Sequence, residues 1–174
     1  MDIVSELKNN QTILVLMPSV QYNDVIVDMA KNLSENSVCY VTLNKTYDSL
    51  KELFTKSKVD VENIVFIDAI SKSVKKTPDQ ADGCYYVSSP GALTEISLVI
   101  SKFLRHEFEY MVFDSLTNLM IYAQKAPVAK FISSLINKIR GTKTKAVFYA
   151  LGMEAHNELI KECEMFVDKV IQIK

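Results

Sequence analysis

The sequence predicts an α/β domain: a mostly parallel β-sheet flanked by helices on both faces, in three layers. Three observations carry that expectation. Short apolar runs rich in β-branched residues alternate with segments whose apolar residues recur at helical spacing. The runs are continuously apolar, as in strands buried on both faces, and do not alternate as half-exposed strands do. No linker, composition break, internal repeat or low-complexity tract interrupts residues 1–174, which read as a single domain.

In order, Thr12-Ile13-Leu14-Val15-Leu16-Met17 is the first strand. Tyr22 to Leu33 follows as a helix, with Val25, Ile26, Met29 and Leu33 on one face. Val38 to Leu43 is the second strand, and Tyr47, Leu50, Leu53 and Phe54 mark a helix that Thr46 or Asp48 caps. Ile64 to Ile67 is a strand ending at Asp68. Ser71 to Asp82 has Pro78, several lysines and no periodicity, and reads as an exposed loop. Tyr85 to Val87 is a short strand. Ser89-Pro90 reads as an N-cap with proline at the first helical position, opening a helix through Leu104. Tyr110 to Phe113 is a strand ending at Asp114, and Val128 to Ile139 a helix stopped by Gly141. Ala146 to Ala150 is a strand, Glu154 to Cys163 a helix and Val167 to Ile173 a last strand. Five or six of these seven runs are expected in the mostly parallel sheet, and in such sheets sites gather at the carboxyl ends.

Composition narrows the function. Twenty Lys+Arg against 21 Asp+Glu leave a net charge of −1, so no global field draws nucleic acid or anionic lipid. Only four glycines occur, at 83, 91, 141 and 152. Neither G-x-G-x-x-G nor G-x-x-x-x-G-K-[ST] can therefore follow the first strand. Three cysteines show no C-x-x-C spacing, and Cys39 reads as a small core residue. His106 and His156 are far apart, so no zinc set is visible and neither metal nor cofactor is expected. The first ten residues carry Asp2, Glu6 and Lys8 and lack the apolar core of a secretory leader. No run approaches the ~18–20 apolar residues of a membrane span. The expected compartment is the cytoplasm, with no membrane partner.

Asp114 closes the run Met111-Val112-Phe113-Asp114-Ser115-Leu116-Thr117-Asn118-Leu119. An apolar strand ending in aspartate has the shape of a Walker B strand, whose carboxylate holds magnesium through water. The simpler reading is a carboxylate capping the backbone after the strand, assisted by Ser115. A hydrolytic constellation of His156 with Asp114 and Ser115 or Ser19 is conceivable, but the simpler reading of His156 is an exposed residue near a helix start.

The stretch from Asp114 to Leu119 resembles the V-V-I-D-S-L-S-A-L segment of the KaiC-like branch of RecA-type ATPases. Val41 to Thr46 is similar to that branch's V-T-F-E-E-P, and the helix from Ser89-Pro90 to Leu104 to the helix before its Walker B strand. The tail from Phe148 to Ile173, with Phe166-Val167-Asp168, resembles its last strands. The resemblance covers nearly the whole chain and implies a RecA-like, P-loop NTPase-like topology. Its departures fall on the catalytic positions. The family's G-x-x-G-x-G-K-T matches Met17-Pro18-Ser19-Val20-Gln21-Tyr22-Asn23-Asp24, where Met17, Val20 and Tyr22 replace glycines. Asn23 replaces the phosphate-binding lysine, and Asp24 the magnesium-binding threonine. Asn44 and Lys45 replace the paired glutamates, and asparagine cannot serve as a general base.

What the resemblance implies is a non-hydrolysing, pseudo-ATPase domain with no catalytic residue, acting as a regulatory or scaffold protein. The expected contact face comprises Pro18, Ser19, Gln21, Tyr22, Asn23, Asp24, Asn44, Lys45, Asp114 and Ser115, with Ala150 to Glu154 beside it. Its partner is another protein or a second copy. Tyr22 is expected to turn inward, since Pro18 to Asp24 lacks the glycine freedom to hold a ring out in water. One alternative is an ATP-binding protein with an altered phosphate loop completed by another subunit. Another is a nucleic-acid-associated module using Lys138, Arg140, Lys143 and Lys145, whose simpler reading is a solvated helix end. Those residues lack the interleaved aromatics of a stacking surface, so nucleic acid is the less expected partner.

Overall fold

The computed structural model describes residues 2–152 and 158–174. His156, Met153 and Glu154 lie outside the described residues. In chain order the elements are α1 (Ile3–Glu6), β1 (Thr12–Met17), a 3-10 turn (Ser19–Gln21), α2 (Tyr22–Leu33), β2 (Val38–Thr42), α3 (Tyr47–Lys56) and β3 (Ile64–Asp68). Then come α4 (Ser71–Val74), β4 (Gln80–Ala81), β5 (Cys84–Tyr86), α5 (Leu93–Leu104) and β6 (Tyr110–Asp114). The chain finishes with α6 (Leu116–Tyr122), α7 (Lys125–Arg140), β7 (Lys145–Leu151), α8 (Glu158–Phe166) and β8 (Lys169–Gln172).

The strands form one sheet in the order β4-β5-β3-β2-β6-β7-β1-β8. Every pairing is parallel except that of β4 with β5. The expected α/β sheet is therefore present, with eight strands where five or six were expected. Registers align the carboxyl ends: Thr42 lies opposite both Asp68 and Asp114, and Met17 opposite Leu151. The chain thus delivers its strand-end side chains to one edge of the molecule, where α/β folds place their sites.

Two apolar layers hold this sheet. On one face α1, α2 and α3 cover Ile13, Val15, Tyr40, Val112, Val147 and Tyr149 through Ile26, Leu33, Leu50 and Phe54. On the other, α5, α6, α7 and α8 cover Leu14, Val41, Phe113 and Phe148. The helices are amphipathic for this reason: in α7 the buried residues are Val128, Phe131, Ile132, Leu135, Ile136 and Ile139. Each fully buried branched side chain contributes about 1.5–3 kcal/mol. Cys39 is buried in β2, and Cys84 and Cys163 are likewise buried free thiols. Among the described residues no helix is long and apolar enough to cross a membrane.

Three local expectations fail for identifiable reasons. Residues 71–82 are not wholly irregular, because the Asp68 carboxylate accepts from the Ile70 and Ser71 amides and so starts the α4 turn. Ion pairs from Lys72 to Asp79 and Lys75 to Asp48 then fold the segment back. Helix α5 begins at Leu93, not at Pro90; Ala92 stands at its cap without a side-chain bond. The approach passes so close to α6 that a Cβ on Gly91 would lie 2.8 Å from the Tyr122 carbonyl oxygen. Helix α6 itself was not anticipated, since its seven residues are too few for a clear period. The cap of α3 is Thr46, whose hydroxyl accepts from the Ser49 amide at 3.2 Å; Asp48 has no part in it.

Candidate functional site

The chain leaves β1 through Pro18, which is extended, and turns at once into the 3-10 segment that runs on into α2. The Gln21 amide donates to the Pro18 carbonyl at 3.0 Å, and the Tyr22 amide to that of Ser19. Two amides of the turn are thus committed to closing it. Met17 is fully buried, Ser19, Asn23 and Asp24 are exposed, and Val20 stands out 91% exposed at the tip. The Gln21 side-chain amide reaches the Lys174 carbonyl at 2.8 Å.

Tyr22 turns inward. Its side chain is 7% exposed, and its hydroxyl donates to Asp114 Oδ2. Tyr40, from the middle of β2, donates to the same oxygen at 2.7 Å. Asp114 is fully buried at the end of β6 and joined to Ser115 by a cis peptide bond. Its other oxygen, Oδ1, has no hydrogen-bond partner, nor does the buried Tyr149 hydroxyl of β7. No other buried side-chain oxygen or nitrogen among the described residues lacks one. The expected capping role of Asp114 is therefore corrected. Its carboxylate accepts from two phenols, and Ser115 instead donates to the Asn118 side chain at 2.5 Å.

The electrostatics follow from burial. Desolvation pushes the Asp114 carboxyl up to about 6, while the bonds from Tyr22 and Tyr40 and the Lys45 charge pull it part of the way back. Tyr22, Tyr40 and Tyr149 are held well above the usual phenol range, first by burial and then by the Asp114 charge. All three phenols stay neutral. The Lys45 ammonium lies 5.9 Å from the Tyr22 ring centroid, and the nearby Asn44 side chain offsets part of the rise of the Tyr22 phenol. The loop bearing both is anchored by the Thr42 hydroxyl, which donates to the Lys45 carbonyl at 2.6 Å.

So the structure gathers Tyr22, Asn44, Lys45 and Asp114 into one cluster and leaves Ser19, Asn23 and Asp24 on the rim. Sequence reasoning missed Tyr40 and Tyr149. A signal for them existed: with period-2 alternation, Asp114 shares its sheet face with Val112, and Val112 lies opposite Tyr40. Asp68 is bound otherwise, taking bonds from the Tyr47, Ile70 and Ser71 amides and the Ser71 hydroxyl at 2.5–2.8 Å.

The four basic residues do not form a free patch. Lys138 donates to Ser97 and Ser101 of α5, and Arg140 to the Phe166 carbonyl at 2.5 Å. Lys145 donates to the Leu7 carbonyl, and Lys143 is exposed. All lie at or before the start of β7, at the end of the sheet away from Asp114. Among the described residues no group of three or more His, Cys, Asp or Glu is placed to hold a metal ion.

The eight-stranded, mostly parallel sheet between helices is that of a RecA-type, P-loop NTPase-like fold. The chain is similar to the KaiC-like protein PH0186 from the hyperthermophilic archaeon Pyrococcus horikoshii OT3, with a TM-score of 0.66 at 10% identity over 94% of this chain and 72% of that one. It is also similar to a prototypical ATPase from the type III secretion system of pathogenic bacteria, with a TM-score of 0.58 and 12% identity over 94% of this chain. It spans about half, 51%, of that ATPase. At such identities the likeness establishes the fold. Residues 4–174 match DUF7090, a family of unknown function, and the chain belongs to that family. No curated protein matches it.

Proposed function

We propose that this chain is a non-hydrolysing RecA-like domain that acts by binding another protein, as a regulatory or scaffold subunit. The observation that carries the reading is the Tyr22–Asp114 contact. The residue matching the last glycine of the phosphate loop buries its ring between the ends of β1 and β6, in the cleft that the resemblance assigns to nucleotide, and holds the Walker B-like carboxylate.

Magnesium-ATP does not fit the residues present. Tyr22 lies against the carboxylate, the Gln21 and Tyr22 amides are bonded within their own turn, and Asp24 adds a negative charge at the rim. Asn23 offers no charge to the β/γ-phosphates. Losing the lysine and gaining a carboxylate weakens binding by several kcal/mol, on the order of a thousandfold or more. Asn44 and Lys45 supply no general base.

The partner-facing feature of the closed cleft is its tip, where Val20 projects between the exposed Ser19 and the exposed Asn23 and Asp24. Val20 is the most exposed of the large apolar side chains among the described residues. Affinity capture from native lysate, with and without magnesium-ATP, tests this. The expected result is a partner retained equally in both conditions and lost with Val20→Asp, whose melting temperature is unchanged. Capture that requires magnesium-ATP would instead favour an ATP-binding protein completed by a second subunit.

A further inference from the structure

Asp114 is a fully buried carboxylate that takes part in none of the ion pairs among the described residues. Groups from four parts of the chain surround it. Helix α2 supplies Tyr22 and, toward Tyr149, Asp28; β2 supplies Tyr40; the β2–α3 loop supplies Asn44 and Lys45; β7 supplies Tyr149. Only Lys45 is cationic, and its ammonium stands over the Tyr22 ring, beyond ion-pairing distance from Asp114. Both orphaned oxygens, Asp114 Oδ1 and the Tyr149 hydroxyl, belong to this one cluster. A buried charge with an empty acceptor site is unfavourable, and two remedies exist: a proton, or access to water and a cation.

We propose that Tyr22 and Asp114 form a proton-controlled latch on the cleft. With the carboxyl protonated, Tyr22 stays shut; with it ionised, the ring swings out more often and water and the Lys45 ammonium reach Asp114. Two effects oppose each other here. The phenol bonds from Tyr22 and Tyr40 favour the ionised carboxylate, but desolvation disfavours it more, so the closed cleft binds the proton more tightly than an open, hydrated one. The 3-10 turn Ser19–Gln21, closed by its own amides, leads directly into Tyr22 as the first residue of α2, so the ring leaves by side-chain rotation with the turn intact. The latch does not depend on how the cleft treats nucleotide, and it can fail while the proposed function stands.

The test is NMR on the intact chain, following the Asp114 carboxyl carbon together with relaxation of the Tyr22 ring by a soluble nitroxide. With the closed carboxyl near 6 and an open one near 3.8, exposure of the ring rises about twenty-five-fold between about pH 4.5 and 7.5. In Asp114→Asn the rise disappears, and in Tyr22→Phe the ring is more exposed at low pH than in the wild type. Should either variant fail to fold, the wild-type titration alone decides. Titration of Asp114 near 4, or a ring whose exposure stays flat while Asp114 titrates, overturns the latch.

Discussion

Tyr22→Ala is expected to lower the free energy of unfolding by about 3–5 kcal/mol, the range for emptying a buried aromatic site. Tyr22 is 7% exposed and packs with Ile26, Val15 and Tyr149 in the layer between the sheet and α2. Truncation removes the ring and also takes one of two donors from a buried carboxylate that already has one bare oxygen. Tyr22→Phe separates the two effects. It keeps the ring and loses only the hydroxyl, so its loss is expected near 1–3 kcal/mol, the penalty for unpairing a buried polar group. Urea melts of the three proteins measure both. Equal, negligible losses would mean that the ring does not fill the cleft.

Acidification is expected to stabilise the protein between neutral pH and about pH 4, opposite to the usual behaviour of a carboxylate that is ion-paired when folded. Asp114 has a folded value near 6 against an ordinary value of 3.8, so the folded state holds the proton more tightly than the unfolded chain. The stabilisation is complete below the unfolded value and is lost as pH rises through the folded one. The two-unit difference amounts to about 3 kcal/mol in full, with about 1.4 kcal/mol gained on going from pH 7.5 to pH 5. Asp168 works in the other direction at lower pH. Burial alone would raise its carboxyl, but bonds from Thr12 and Gln11 and the Arg140 charge hold it below the usual range. Its contribution is lost only as pH falls through that depressed value, outside the Asp114 window. Chemical melts from pH 4.5 to 7.5 should therefore slope in the wild type and lie flat in Asp114→Asn. A wild type that loses stability on acidification across this window would contradict the assignment.

The sheet was legible because its strands are buried on both faces. β1, β2, β3, β6 and β7 stand out as uninterrupted apolar runs, and the structure places each within a residue or so of its expected bounds. Helices α2, α3 and α7 were equally visible, since each buries one stripe. The short elements were not. α4 exists through bonds to Asp68 and α6 has only seven residues, so neither leaves a periodic trace; α5 was anticipated but starts late, because Gly91 passes tightly against Tyr122. The same division runs through the cluster. Asp114 is conspicuous as a charge ending an apolar strand, and Tyr22 as a bulky residue where the resemblance places a glycine. Tyr40 and Tyr149 are ordinary strand formers in sequence, and only strand register brings them to one carboxylate. The basic residues 138–145 show the converse, a cluster in sequence that folding disperses onto α5, α8 and α1.

Calorimetric titration of the purified chain with magnesium-ATP tests the central claim most directly. A cleft filled by Tyr22, with Asn23 and Asp24 in place of lysine and threonine, predicts no heat of binding at millimolar nucleotide and no phosphate release. A micromolar dissociation constant, roughly −8 kcal/mol of binding free energy, would contradict it and establish a working nucleotide site despite the altered loop.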